Sequence, residues 1–233
     1  MVAKAFFFDV FGTVVDWREG VAREARTILH PLGHDLIWTA FADAWRAEYQ
    51  PGMEEIRSGR LPFAKLDVVH ARTLERILPD FGLSDISDIT KRALVLAWHR
   101  LDAWPDSTRG IAMLRKHALL APVSNGNISL MAALARRNNF HWDAILGAEF
   151  SRDYKPKPDV YLSACAAFDL APEDCMMVAA HSDDLAAAKA CGLQTGFVAR
   201  PDEKGPGKGE STPKIEVDVA GDDMIDLARK IFG

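Results

Sequence analysis

Four places in this sequence set chemically capable side chains at the end of an apolar run. Asp9 closes the stretch AFFF (residues 5–8) and is followed by the turn Gly12-Thr13. A carboxylate there is costly to bury unless something pairs with it or uses it. Ser124-Asn125 follow LLAPV, Lys155 sits in the segment YKP, and His181-Ser182-Asp183-Asp184 follow CMMVAA. Singly, each has a plain structural explanation: Ser124 or Asn125 as a helix cap, Lys155 as a solvated loop charge, Asp184 as a helix-start carboxylate. Jointly, a carboxylate, a hydroxyl, an amide, an amine and an acidic turn at successive strand ends describe a site.

The elements that must position these residues follow from hydrophobic periodicity. Residues 4–10 read as a strand. From about Val14 to Trp98 the pattern is helical, broken at Pro31, Pro51-Gly52, Pro62 and Pro79, with no strand evident. A βα alternation then begins, with strands at 119–125, 144–150, 175–180 and 195–200 and helices at 128–139, 158–168 and 183–192. The expected fold class is α/β, a Rossmann-like doubly wound parallel sheet, in which ligands sit beyond the carboxyl ends of the strands. Residues 1–14 and 99–233 form the expected core domain and residues 15–98 an inserted helical cap. Residues 200–214, rich in Gly, Pro and charge, read as an exposed loop, and 221–232 as a closing helix.

With 233 residues, 48% hydrophobic, the chain can bury a large core. A net charge of -5 gives no electrostatic footprint for nucleic acid, and no apolar run reaches the ~20 residues that span a bilayer. The N-terminus runs straight into the first strand, so removal of a signal peptide would remove Asp9, and a cytoplasmic location is expected. Cys165, Cys175 and Cys191 show no pairing or zinc spacing and read as small core residues.

At the chemical residues the sequence resembles the haloacid dehalogenase superfamily. DxxGT at Asp9 to Thr13, Ser124-Asn125, Tyr154-Lys155-Pro156 and the acidic turn ending at Asp184 match its four motifs in order, across nearly the whole chain. The resemblance implies a Rossmann-like sheet with a mobile cap, and for most members a magnesium-dependent phosphatase. Two departures matter. The aspartate expected two residues after the nucleophile is Phe11, and Ala180 stands where the main metal-ligating carboxylate belongs. Magnesium needs hard oxygen donors, and phosphoryl transfer without it is poorly stabilised.

A halide leaves as a stable anion and needs no general acid, and an aspartate can displace it from carbon to give an ester that water then hydrolyses. The branch resembled is the type II 2-haloacid dehalogenase, acting on small L-2-haloalkanoic acids with inversion and without cofactor or metal. The segment AWRAEYQ extends the likeness into the cap. The resemblance implies Asp9 as nucleophile, Thr13 holding its carboxylate, Arg46 and Asn125 receiving the halide, and Ser124 with backbone N–H groups after Asp9 binding the substrate carboxylate. It further implies Lys155 offsetting Asp9 and Asp184, Asp184 handling the hydrolytic water, Tyr161 supporting that network, and Phe11 and Phe63 walling the pocket. A homodimer is also implied.

Where better-known members carry SSNxWD, this chain has AAHSDD at residues 179–184. His181 can then serve as a general base or simply hydrogen-bond Asp184 or a backbone carbonyl. The aromatic stripe Trp38, Phe41, Trp45, Tyr49 recurs at three or four residues and reads as packing. Alternative functions are a phosphatase with a degraded metal site, hydrolysis of another activated C–X bond in a small carboxylic acid, and a non-catalytic relic.

Overall fold

The computed structural model describes residues 2–233. Six strands form one parallel sheet in the order β3-β2-β1-β4-β5-β6, with β1 Ala5–Phe8, β2 Leu119–Ser124, β3 Leu146–Gly147, β4 Cys175–Ala179, β5 Gln194–Val198 and β6 Val219–Gly221. This is the doubly wound order, with its switch point between β1 and β4. Strand alternation explains why β1 is apolar throughout. Phe6 and Phe8 enter one hydrophobic cluster and Ala5 and Phe7 the other, one on each face of the sheet.

Helices α1 Trp17–Leu29, α2 Trp38–Ala47, α3 Tyr49–Arg57, α4 Leu66–Ile77 and α5 Asp88–Val95 lie between β1 and β2 in the chain. They carry amphipathic faces whose buried residues, including Phe41, Trp45, Met53 and Leu74, join the Phe6–Phe8 cluster. The chain leaves and returns to the sheet side by side. Val15 bridges Ala103, Asp16 N–H donates to the Asp102 carbonyl, and Trp104 N–H donates to the Val14 carbonyl. The remaining helices, α6 Ser107–Leu114, α7 Ile128–Asn138, α8 Ala148–Ser151, α9 Pro158–Ala167, α10 Ser182–Ala190 and α11 Met224–Phe232, cover the sheet.

Three expectations change. The strand expected at 144–150 is only Leu146–Gly147, followed by the helical turn α8. Gly147 has φ of 102°, and a β-carbon there would lie 2.3 Å from the Ser124 carbonyl oxygen, so the backbone turns where the periodicity continues. The strand β6 lacked a sequence signal because it is three residues long. The segment 200–214 is not a uniformly exposed loop. Arg200 and Glu203 are 6% and 1% exposed, and Arg200 is bound bidentately to Asp106 at 2.9 and 2.8 Å while its Nε donates to the Thr13 carbonyl at 2.9 Å.

Candidate active site

Beyond the carboxyl ends of β1, β2 and β4 lies a cavity of about 800 Å³, lined among others by Asp9, Phe11, Arg46, Tyr49, Asn125, Lys155, Tyr161, His181 and Asp184. Asp9 is the residue after β1, and its N–H donates to the Val178 carbonyl of β4, which fixes the start of the loop at the sheet's centre. The buried carboxylate meets three side-chain partners. Lys155 Nζ donates to Oδ1 at 2.8 Å, Thr13 Oγ1 donates to Oδ2 at 2.8 Å, and His181 Nδ1 lies 3.1 Å from Oδ2. Burial alone would raise the Asp9 pKa, but Lys155 and His181 outweigh it and hold the group far below the carboxylate range. Asp9 is therefore ionised.

Lys155 also donates to Asp184 Oδ2 at 2.5 Å, and Tyr161 Oη donates to Asp184 Oδ1 at 2.5 Å. Burial disfavours the ammonium, yet Asp184 and Asp9 together push its pKa well above the ordinary value. Asp184, unlike Asp9, is raised: burial and the nearby Asp9 charge outweigh Lys155. Asn125 Oδ1 accepts the Lys155 backbone N–H at 2.9 Å, which seats the lysine's loop against β2.

Arg46, near the end of α2, reaches the cavity with its guanidinium carbon 4.0 Å from the centroid of the Tyr49 ring and 5.2 Å from that of Trp17. Its Nη1 is buried and has no hydrogen-bond partner among the described residues. A desolvated, permanently charged donor facing a cavity is suited to an anion. Phe11 packs edge-on against Tyr49 and Trp98 at 6.4 and 5.6 Å and forms part of the wall.

Nine of the eleven residues singled out from the sequence meet here: Asp9, Phe11, Thr13, Arg46, Asn125, Lys155, Tyr161, His181 and Asp184. Two do not. Phe63 does not line the cavity; its ring packs tilted against Tyr154 at 5.6 Å, beneath the Arg152 guanidinium, and Tyr154 is itself anchored to the Ala64 carbonyl. Ser124 is fully buried with its Oγ accepting the Gly126 N–H at 3.1 Å, so it shapes the turn after β2 and its side chain does not line the cavity.

The partners of His181 are neither Asp184 nor a backbone carbonyl. Nδ1 meets Asp9, and Nε2 meets Glu203 Oε2 at 3.0 Å, while Trp17 Nε1 donates to Glu203 Oε1 at 2.9 Å. Burial opposes charge on the ring, but the two carboxylates push its pKa up to about 10. The imidazolium results, and it is a double donor. Glu203 had no signal in the sequence because its glycine-rich surroundings look solvated. Tyr49 was visible only as part of a packing stripe. Arg57, which donates from α3 to the Lys155 carbonyl at 2.8 Å, was not distinguishable from a surface arginine.

The donor set does not fit magnesium. Phe11 and Ala180 supply no side-chain oxygen, and both Asp9 oxygens already face cationic partners.

The sequence profile of the haloacid dehalogenase-like hydrolases matches residues 3–192. The chain belongs to that family. Among similar solved structures are the defluorinating L-2-haloacid dehalogenase Rha0230, 38% identical with a TM-score of 0.96 and covering 99% of this chain and 96% of that one. The L-2-haloacid dehalogenase PA0810 is 40% identical with a TM-score of 0.94, covering 98% of both chains. (S)-2-Haloacid dehalogenase 1 of Pseudomonas sp. (strain CBS-3) is 27% identical over 198 residues, 82% of each chain.

Proposed function

We propose that this chain is a 2-haloacid dehalogenase, which hydrolyses small L-2-haloalkanoic acids to 2-hydroxy acids with inversion. The observation that carries the reading is the pairing, across one cavity, of an ionised Asp9 with the unpartnered Nη1 of Arg46. An attacking carboxylate and a waiting anion donor are what displacement of a halide requires. The relatives named as L-2- and (S)-2-haloacid dehalogenases support it.

In the first step an Asp9 oxygen attacks the α-carbon, the carbon–halogen bond breaks with its electron pair, and the halide departs toward Arg46 and Asn125. The substrate carboxylate is held by peptide N–H groups after Asp9, which orients the α-carbon for in-line attack. Phe11 and Tyr49 keep that region dry, which strengthens the guanidinium's hold on the forming anion. In the second step water attacks Cγ of Asp9 and yields a proton to Asp184, whose raised pKa suits a base, while Lys155 bridges both carboxylates. Tyr161 and Lys155 fix the Asp184 carboxylate in place.

Residues 15–98 act as the cap that carries Arg46, over a core of residues 1–14 and 99–233. Among the described residues no helix is long and apolar enough to cross a membrane. A cytoplasmic location and a homodimer complete the reading, to be checked by fractionation and light scattering. The deciding assay is halide release from chloroacetate and both 2-chloropropionates, run beside p-nitrophenyl phosphate with magnesium. Halide release selective for the L enantiomer supports dehalogenation; phosphate release alone overturns it.

A further inference from the structure

Resting on the reading of Asp9 as the alkylated carboxylate, we propose that His181 and Thr13 form the oxyanion-binding pair for hydrolysis of the Asp9 ester. Glu203 is the positioning residue that keeps His181 a donor. The two Asp9 oxygens are not equivalent. Oδ1 receives only Lys155 at 2.8 Å, whereas Oδ2 receives Thr13 at 2.8 Å and His181 at 3.1 Å. The oxygen with one donor keeps electron density for attack on carbon. The oxygen with two becomes the ester carbonyl, where negative charge collects when water adds, and donors already aimed there need no rearrangement.

Both donors have fixed polarity. The Thr13 hydroxyl oxygen accepts the Ala180 N–H at 2.9 Å, so its proton points to Asp9. A neutral imidazole can donate from one nitrogen only, but here each ring nitrogen meets a carboxylate, Asp9 on one side and Glu203 at 3.0 Å on the other. Glu203 is itself held. It is 1% exposed, accepts from Trp17 Nε1 at 2.9 Å, and rides on a segment tied to Asp106 and Thr13 through Arg200. The charged groups facing this pair are Asp9, with Lys155 and Asp184 behind it, and Arg46 and Lys204 on the Glu203 side.

The hydrolytic step balances without a co-reactant. Water bonds to Cγ, its proton passes to Asp184, and the carbonyl electron pair moves onto Oδ2 between Thr13 and His181. On collapse that pair re-forms the carbonyl and the Cγ–Oδ1 bond breaks. The departing oxygen takes a proton from Lys155 Nζ, which recovers one from Asp184 at 2.5 Å. Asp9 then loses its new proton to solvent, and His181 is charged throughout.

The test is rapid-quench kinetics with L-2-chloropropionate, reading halide and the ester on the Asp9 peptide by mass spectrometry. Glu203→Gln is expected to release a first halide per enzyme at near the wild-type rate, then turn over at least ~10-fold more slowly with ester accumulating, since one oxyanion donor is typically worth ~10²–10³ in rate. Its alkaline limb for ester hydrolysis should move to lower pH. His181→Leu, which removes the ring donor, should stall in the same way at every pH, and it carries the test if Glu203→Gln fails to fold. A wild-type enzyme that turns over, with variants showing no burst, an unmoved alkaline limb, or equal losses in both steps, overturns the proposal. A wild-type enzyme that releases no halide from any 2-haloacid overturns the functional reading on which it rests.

Discussion

The guanidinium carbon of Arg46 sits over the Tyr49 ring, 4.0 Å from its centroid, and this contact takes the place of a carboxylate partner. An ion pair would neutralise the arginine; a ring face holds it without consuming its donors. Arg46→Lys keeps the charge and loses the planar fork. Halide release should fall at least ~10-fold in kcat, as expected when one preorganised anion donor is lost. Unchanged kinetics would show that Arg46 does not hold the departing halide.

Asp9→Asn should abolish dehalogenation, because the amide cannot deliver the displacing charge. In a single turnover in oxygen-18 water, with enzyme in excess over L-2-chloropropionate, label should appear in the Asp9 peptide and be scarce in the product. The product should be the D-hydroxy acid. Label going directly into the product while Asp9 stays unlabelled would make water the attacking nucleophile.

Prolonged dialysis against EDTA should leave halide release unchanged, since Phe11 and Ala180 supply no side-chain oxygen and both Asp9 oxygens are engaged by Lys155 and His181. Activity lost on chelation and restored by magnesium would count against this reading.

Asp106→Ala should destabilise the fold by about 3–5 kcal/mol in denaturant melts, because it leaves the buried Arg200 guanidinium without its bidentate partner. The same substitution frees the segment bearing Glu203, so activity should fall further than residual folded protein accounts for. A loss of only a few tenths of a kcal/mol would show that Arg200 contributes no more than a surface pair.

The His181–Glu203 pair should also mark the pH dependence of stability. The histidine's folded value, about 10, is raised from 6.5, so its contribution is fully present below 6.5 and is lost as pH rises through 10. The Glu203 carboxyl is depressed from 4.5, so its share is present above that value and lost as pH falls. Glu203→Gln should therefore lower Tm most near pH 7 and hardly at all above pH 10.5. An equal loss at both pH values would mean that shape, and not charge, holds the pair together.

The sheet was legible because parallel strands buried on both faces read as apolar runs, and β1, β2, β4 and β5 are such runs. β3 and β6 were lost or misplaced because two or three residues carry no period, and Gly147 ends β3 by a backbone conformation that hydropathy does not register. In the site, residues fixed to strand ends were readable from their place in the chain. Asp9, Asn125 and Asp184 are of this kind. Glu203 was not, because its burial comes with Trp17 and His181, both remote in sequence, while its neighbours Asp202 and Lys204 are exposed as the composition suggests. Phe63 was misplaced for the converse reason: an aromatic near a site in sequence was committed to Tyr154 instead.

Gly12 sits in the left-handed region at φ of 86°, and a β-carbon built there would lie 2.3 Å from Glu203 Oε1. The turn after the nucleophile thus owes its glycine to more than backbone freedom: the missing side chain is the berth of a carboxylate arriving from the far end of the chain. A single methyl group at residue 12 would evict that carboxylate and strip His181 of one of its two counter-charges. An alteration that is purely one of volume would then be felt as a change in the protonation of a ring it never touches.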